Sequence, residues 1–133
     1  MKTLIDMETR YGVSHLDHLD KQAAIPVVTR LAFQGDVAVV RREAQESTVA
    51  IPASGYPVVQ GENGGNTHAL FGTGFFTPRQ ADVDNLVLGI LTVPAVEQVL
   101  LSHPEHGGLL IDPGTYELRR QREQADIVRM VAD

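Results

Sequence analysis

Short runs of β-branched and apolar residues, separated by glycine and proline turn signals, occupy most of this 133-residue sequence. About eight such runs lie between residues 25 and 123, at intervals of roughly 8 to 14 residues. Parallel strands need crossover connections of a dozen or more residues, usually helical, and these intervals leave no room for them. The pattern therefore predicts a mainly β domain, built as a small antiparallel β-barrel or sandwich.

The predicted strands cover residues 25–33, 36–43, 47–53, 56–60, 67–71, 74–77, 84–93, 95–103 and 108–123. The spacing within 95–103 also permits a helix, and we interpret it as a strand because Pro94 precedes it and the turn-like HPEHGG follows it. Pro113 and Gly114 fit the central positions of a type II turn, because proline fixes φ and glycine accepts a positive φ.

The two ends of the chain differ from this β region. Residues 1–24 form a polar arm in which Leu16 and Leu19 lie one helical turn apart. This arm is either a short amphipathic helix or an extended segment that orders against another surface. Residues 124–133 are predicted to form a short helix, with a tail strand as the alternative. The predicted organisation is therefore an N-terminal arm (1–24), a β domain (25–123) and a C-terminal tail (124–133).

Composition excludes several classes of protein. The absence of cysteine rules out disulfide scaffolds and cysteine–zinc sites. The net charge of −6 makes a nucleic-acid partner improbable, because phosphate contacts need a basic surface. No apolar run has the roughly 18 residues that a membrane helix needs, and the charged start has no apolar signal-peptide region. We therefore expect no membrane partner and no secretion through a signal peptide.

Histidines supply the candidate metal chemistry. The turn HPEH gathers His103, Glu105 and His106, while His68 follows a glycine-rich loop that contains Glu62. If this loop and this turn meet at one end of the domain, the three histidines and Glu62 form a mixed nitrogen and oxygen site for a divalent metal. Glu105 would then act as general base on a metal-bound water. The alternative is that all of them are polar loop residues that face water.

Two further sets of polar residues have weaker signals. His15 and His18 are three residues apart in the arm, so they would share a face if the arm were helical there. Solvated histidines are common in such a polar segment. Ser54 or Ser102 could enter a serine triad, but nothing in the sequence selects either of them.

The segment ELRRQRE (117–123) places arginines on both faces of a strand, Arg119 on one face and Arg120 and Arg122 on the other. Such a strand fits a sheet edge, where charge blocks unwanted pairing. It also fits a surface that holds a partner's carboxylates or phosphates. Of the three interpretations we favour the third, an ion-pair network within the domain. Arg41 and Arg42 form a similar pair after an earlier strand.

The second half of the chain resembles small uncharacterised proteins of bacteria and phages. Those proteins contain G-E-x-T-G-H-x-H, a later H-E-E-H, an apolar strand, and P-x-G-T-Y-x-x-x-R-Q-R-E-Y. The corresponding segments here are GENGGNTHAL (61–70), HPEHGGLLIDPGTYELRRQRE (103–123) and the closing IVRMVAD, which together cover roughly half of the chain. The resemblance implies an architecture but no reaction.

Three of the departures of this sequence from that pattern concern polar or aromatic positions. Asn66 replaces the first histidine of G-H-x-H, Pro104 replaces the first glutamate of H-E-E-H, and Gln124 replaces the tyrosine after RQRE. If the histidines of the family form a metal or catalytic site, this chain lacks one candidate ligand, which weakens the interpretation as an enzyme.

The sequence therefore favours a non-enzymatic subunit of a larger protein assembly, most plausibly a bacteriophage virion component such as a capsid decoration or a head- or tail-associated protein. The expected partners are other protein chains, including copies of itself, in the cytoplasm of a bacterial host or in the virion. Partner contacts are expected at Leu16 and Leu19 of the arm and at Arg119, Arg120 and Arg122 of the charged strand. No cofactor is then needed. The alternative is a metal-dependent hydrolase that uses the histidine and glutamate site.

Overall fold

The computed structural model describes residues 2–59, 67–79 and 86–120. Within these ranges the chain forms one helix and ten strands. They are α1 Leu4–Tyr11, β1 Val27–Val28, β2 Leu31–Gln34, β3 Val37–Arg41, β4 Tyr56–Val59, β5 His68–Gly72, β6 Phe75–Pro78, β7 Val87–Val93, β8 Val99–His103, β9 Gly107–Ile111 and β10 Gly114–Arg120. The predicted C-terminal helix (124–133) lies outside the described residues.

The strands form two five-stranded sheets. Sheet 1 has the order β1-β9-β8-β5-β4, and sheet 2 has the order β2-β3-β10-β7-β6. Neighbouring strands are antiparallel, with the exception of the two-residue β1, which is parallel to β9. The described strands form no ladder between sheet 1 and sheet 2. The mainly β prediction is confirmed, and the architecture is a sandwich and not a closed barrel.

Alternate residues of the strands fill the space between the two sheets, as the period of two in a strand requires. The fully buried members of this core include Leu70, Leu101 and Ile111 of sheet 1 and Val39, Leu91 and Leu118 of sheet 2. Each such side chain contributes roughly 1.5 to 3 kcal/mol by leaving water. The core therefore holds the two sheets together along their whole inner faces.

Two of the predicted strands are each divided between the sheets. Residues 25–33 give β1 in sheet 1 and β2 in sheet 2, and residues 108–123 give β9 in sheet 1 and β10 in sheet 2. Pro113 and Gly114 therefore carry the chain across the sandwich, from sheet 1 to sheet 2. Gly114 has a φ of +148°, and the Tyr116 hydroxyl donates to the Asp112 carbonyl over 2.8 Å. This bond fixes the crossing in the manner of a tyrosine corner.

The predicted strand over 47–53 is also wrong. This segment runs along the outer edge of β6, where Phe76 N donates to Val49 O over 2.8 Å and Ile51 N donates to Gly74 O over 3.0 Å. Only an isolated bridge between Ala50 and Phe75 results. The segment nevertheless covers an edge of sheet 2 that would otherwise present unpaired backbone groups.

The N-terminal arm packs on the outer face of sheet 1 of the same chain. Helix α1 begins with a capping box between Thr3 and Asp6, and it ends at Gly12 in the left-handed conformation. Leu4 and Met7 of the helix join an apolar cluster with Phe71, Leu100 and Leu110 of sheet 1. The ends of the arm meet, because Ile25 N donates to Lys2 O over 2.9 Å. In the described part of the chain, no helical segment is long and apolar enough to cross a bilayer.

Candidate functional site

Three histidines meet at one end of the sandwich. His68 begins β5, His103 ends β8 and His106 lies in the turn before β9. The ring centroid of His103 lies 4.3 Å from that of His68 and 4.4 Å from that of His106. The rings of His68 and His106 are stacked, with their centroids 6.2 Å apart. We call these three residues the histidine cluster. His68 and His103 are buried, whereas His106 is exposed and opens the cluster to solvent.

Gln34, at the end of β2, orients His68 from the opposite sheet. The Gln34 side-chain nitrogen donates to the carbonyls of Leu101 and Gly107, at 3.0 and 3.3 Å. Because carbonyls only accept, the Gln34 oxygen must face the other way, where His68 Nδ1 lies 3.0 Å from it. His68 Nδ1 therefore carries a proton, and the lone pair of neutral His68 is on Nε2. Gln34 was not among the predicted site residues, because a single polar residue in a strand gives no sequence signal that it orients a histidine.

The cluster keeps His68 neutral. Burial, together with the neighbouring His103 and His106, lowers the pKa of His68 to about 4, although Asp36 in the β2–β3 turn acts in the opposite direction. The approach is close because Gly35, with a φ of +53°, has no side chain: a Cβ there would lie 2.8 Å from His106 Nε2. A buried neutral imidazole with an oriented lone pair results.

His103 has the opposite arrangement. Its Nδ1 accepts hydrogen bonds from the backbone N–H groups of Glu105 and His106, at 3.1 and 3.2 Å. The proton of neutral His103 is therefore on Nε2, and its lone pair is occupied within the turn. Glu105 is exposed and contributes its backbone to the cluster. Glu62 lies outside the described residues, and within these residues no group of three or more histidine, cysteine or acidic side chains is arranged to hold a metal.

A second polar network joins the arm to sheet 1. His15 Nδ1 lies 3.0 Å from a Glu8 carboxylate oxygen, and His15 Nε2 lies 2.8 Å from Ser102 Oγ. His15 N and Lys21 Nζ reach the same Glu8 oxygen, at 2.8 and 3.3 Å. Burial acts to raise the pKa of Glu8, but the bonds from His15 and Lys21 outweigh it and leave that pKa below its ordinary value. We call Glu8, His15 and Ser102 the arm relay.

The arm relay has the same order of contacts as a serine triad, carboxylate to histidine to serine, but its serine is not accessible to a substrate. A carboxylate that only accepts requires a proton on His15 Nδ1, so neutral His15 accepts from the Ser102 hydroxyl. The His15 side chain has no exposed area, and Ser102 is 6% exposed. The relay therefore attaches the arm to the sheet. His15 is buried and not solvated, and it shares no helix with the exposed His18, because α1 ends at Tyr11.

The predicted partner-binding residues occupy different surfaces. Strand β10 lies between β3 and β7 at the centre of sheet 2, so the interpretation as an edge strand is wrong. Tyr116 and Leu118 of this strand face the core, and the alternate residues Glu117 and Arg119 lie on the outer face. There Glu117 pairs with Arg119 at 2.7 Å and with Arg42 at 3.5 Å.

The remaining partner-binding predictions are divided between exposed and covered positions. Arg120 is exposed at the end of β10, and Arg122 lies outside the described residues. Leu16 is 44% exposed, whereas Leu19 packs against the apolar cluster beneath the arm. Of the four predicted partner-binding residues that the structure describes, Leu16 and Arg120 are the exposed ones. Ser54 is also exposed, and it is remote in sequence from both polar networks.

The opposite end of the sandwich has an open cleft of about 590 Å³. Its lining combines apolar groups, hydroxyl groups and two charged side chains: Arg41, Glu46, Ser47, Thr48, Phe75, Thr92, Val93, Pro94, Ala95, Pro113, Gly114 and Thr115. We call this the Arg41 cleft. Val96, beside its rim, is 98% exposed and has a φ of +63°. Neither feature was predicted, because the cleft joins four separate segments of the chain.

These features define a class of β-sandwich module that has two internally bonded polar networks and a cleft at one end. The chain belongs to the family described as Domain of unknown function (DUF8820), which matches residues 33–121. The match contains the histidine cluster, Gln34 and Arg41, whereas Glu8 and His15 of the arm precede it. Comparison with curated proteins and with solved structures finds no match.

Proposed function

We propose that this protein is a non-enzymatic subunit that associates with copies of itself in a larger protein assembly. The resemblance to small uncharacterised proteins of bacteria and phages is the basis for naming a bacteriophage particle as that assembly. The observation that carries the proposal is Val96, an apolar side chain that is held almost wholly in solvent by a strained backbone.

Val96 occupies a position that suits a different residue. Glu97 N donates to Pro94 O over 3.2 Å and closes a tight turn, in which Val96 takes the positive φ that normally requires glycine or asparagine. A β-branched residue in this conformation costs about 1 to 2 kcal/mol, because its Cβ crowds the backbone. Strain of this kind persists where the side chain has a use besides folding.

The neighbouring surface is apolar as well. Val49 is 53% exposed and follows Thr48, and Val96 follows Ala95, and both Thr48 and Ala95 line the Arg41 cleft. Exposed apolar side chains grouped beside a cleft are typical of protein contact surfaces. The two polar networks, in contrast, are largely buried and have internal partners. The balance of exposed groups therefore favours binding of protein over chemistry.

Sedimentation velocity over a range of protein concentrations tests the proposal. We expect concentration-dependent self-association of the wild-type chain. Val96→Asn should weaken association by about tenfold or more, the effect of losing one central apolar contact, while its thermal stability is unchanged or higher because asparagine tolerates the turn. Val27→Thr, at a 52% exposed valine on sheet 1, is the matched control and should associate like the wild type.

A wild-type protein that remains a monomer up to its solubility limit would contradict the proposal. Equal association of the wild type and Val96→Asn would contradict the role of the turn. Both comparisons require that each variant is folded, and the far-UV circular dichroism spectrum of each variant establishes this.

A metal-dependent hydrolase is the second candidate function, and the histidine cluster is the observation that favours it. Gln34 orients His68 as partners outside the coordination sphere orient metal ligands. His103 would first have to release the backbone N–H groups of its turn. Elemental analysis of the native protein tests this candidate: stoichiometric zinc that is lost in His68→Asn would support it, and protein without bound metal would oppose it.

A further inference from the structure

Arg41 is held in one orientation at the Arg41 cleft. Its NH1 group donates to the Thr29 carbonyl over 3.1 Å, and its guanidinium carbon lies 5.8 Å from the centre of the Tyr116 ring. The group lies across Gly114, where a Cβ would approach the guanidinium carbon to 2.9 Å. These contacts use one side of the guanidinium and reduce the rotamer entropy that binding would otherwise cost.

Arg41 differs from its neighbours in having no acidic partner among the residues that the structure describes. Arg42 and Arg119 both pair with Glu117, at 3.5 and 2.7 Å. Among the described residues, in contrast, no carboxylate lies within the 4.0 Å ion-pair distance of Arg41, although Glu46 lines the same cleft. A guanidinium that is fixed in place but has no paired charge is suited to receive an oxyanion through its remaining N–H groups.

The surroundings of Arg41 restrict the anion it can receive. The Arg41 cleft continues into an adjoining cleft of about 540 Å³ that is also lined by Arg42, Glu43 and Glu46. Glu43 and Glu46 would repel a polyanion such as a nucleic acid, whereas a single carboxylate on an otherwise neutral chain meets one cation. The two clefts share Arg41, Glu46 and Thr115, so an extended segment that passes from one to the other suits them better than a compact ligand.

Part of the cleft lining is apolar. Phe75, Val93 and Pro94 contribute this part, which we call the Phe75 wall, and the Thr115 hydroxyl lies 3.3 Å from that of Thr92 in the same cleft. A segment with a carboxylate at Arg41 would therefore place a neighbouring apolar side chain on Phe75. An acidic and an apolar side chain next to each other in an extended peptide match this arrangement.

We propose that the Arg41 cleft binds an extended peptide segment of a partner chain, with one carboxylate of that segment on the Arg41 guanidinium and an adjacent apolar side chain on the Phe75 wall. This inference rests on the proposed function, since it names the contact by which one subunit holds another.

Three short peptides test the proposal against the ¹⁵N-labelled full chain by NMR titration. The first is Leu-Asp-Leu, acetylated and amidated, which carries only a side-chain carboxylate. The second is the matched Leu-Asn-Leu, which has no carboxylate. The third is acetyl-Leu-Leu with a free C-terminal carboxylate, and it distinguishes a side-chain anchor from a chain terminus. Inorganic phosphate serves as the probe for a general anion site.

We expect at least one carboxylate peptide to shift the amide signals of Val93 and Thr115 and to bind about tenfold or more tightly than Leu-Asn-Leu, as a charge-assisted guanidinium contact requires. Arg41→Gln should remove that preference, and Arg41→Lys should reduce it because lysine lacks the planar fork. Arg120→Gln changes an exposed arginine at the far end of sheet 2 and should leave binding unchanged.

Equal binding of the carboxylate and asparagine peptides, or no binding of either carboxylate peptide, would overturn the proposal. Phosphate that binds at Arg41 while both carboxylate peptides fail would also overturn it, in favour of an anion site. These outcomes are independent of the sedimentation experiment at Val96, so failure here leaves the proposed self-association standing or falling on its own measurement.

Discussion

Acidification should destabilise this protein through His68. The pKa of folded His68 is lowered to about 4 by burial, from an ordinary value of 6.5. Between these two values the unfolded chain binds a proton that the folded chain does not, so the free energy of unfolding falls as the pH falls. The contribution of neutral His68 to the free energy of unfolding is fully present above about pH 6.5. It is lost progressively as the pH falls towards about 4 and changes no further below that.

The size of this effect follows from the difference between the two pKa values. Over the whole interval between the two pKa values, the free energy of unfolding falls by about 3 kcal/mol. About 2 kcal/mol of this stability is lost between roughly pH 7 and pH 5. That loss is a substantial share of the roughly 5 to 15 kcal/mol that stabilises an ordinary domain. The pH range in which the protein weakens should therefore be detectable without complete acid unfolding.

Urea denaturation at a series of pH values and constant ionic strength measures the effect. His68→Asn is the informative variant, because asparagine keeps a donor near Gln34 but does not titrate. Its stability should be lower at neutral pH, since a buried ring is lost, and its pH dependence should be flatter than that of the wild type by about one proton. His18→Asn, at an exposed histidine, is the matched control substitution.

Parallel pH profiles for the wild type and His68→Asn would refute this reasoning. An NMR titration gives a second check, because the His68 ring proton signals should not move until the pH is well below 6. A midpoint near the ordinary histidine value would show that the ring is solvated and not buried beside His103.

Three further substitutions test individual contacts. Ser102→Ala should cost about 1 to 3 kcal/mol and raise hydrogen exchange in α1, because it leaves His15 with a buried unpaired nitrogen; unchanged exchange in α1 would contradict the arm relay. Gly35→Ala should cost about 1 kcal/mol or more in thermal or urea unfolding, because it combines a positive φ with a clash against a histidine ring; a neutral result would contradict that close approach. Tyr116→Phe should cost about 1 kcal/mol by urea denaturation, since it removes the hydroxyl bond across the sheet crossing; no loss would show that the bond is dispensable.

Local sequence patterns predicted the β class because apolar alternation depends only on neighbouring residues. Strands β3, β4, β7 and β8 lie within predicted runs for this reason, and β5 and β6 each extend one residue beyond theirs. The same patterns did not indicate which strands pair. Pro113 and Gly114 allow a reversal of direction, but whether the chain returns to the same sheet depends on packing of Tyr116 and Leu118 against the distant core.

The two polar networks show a similar limit. The turn HPEH and the strand before it placed two histidines near each other, but the role of Gln34 depends on a strand from the other sheet. His15 and Ser102 are 87 residues apart, so no local spacing connects them. The central position of β10 could likewise not be predicted from the sequence, because charges on the solvent face of a central strand resemble those that protect an edge strand.

Site-specific photo-crosslinking at position 96 in producing cells tests the central claim most directly. A photoreactive residue in place of Val96 should yield a product with twice the mass of the chain, and mass spectrometry should locate the second attachment in another copy. The same residue in place of Val27 should yield little of this product. An absence of the dimeric product at position 96, or equal yields at both positions, would contradict the proposal that the Val96 turn contacts a neighbouring subunit.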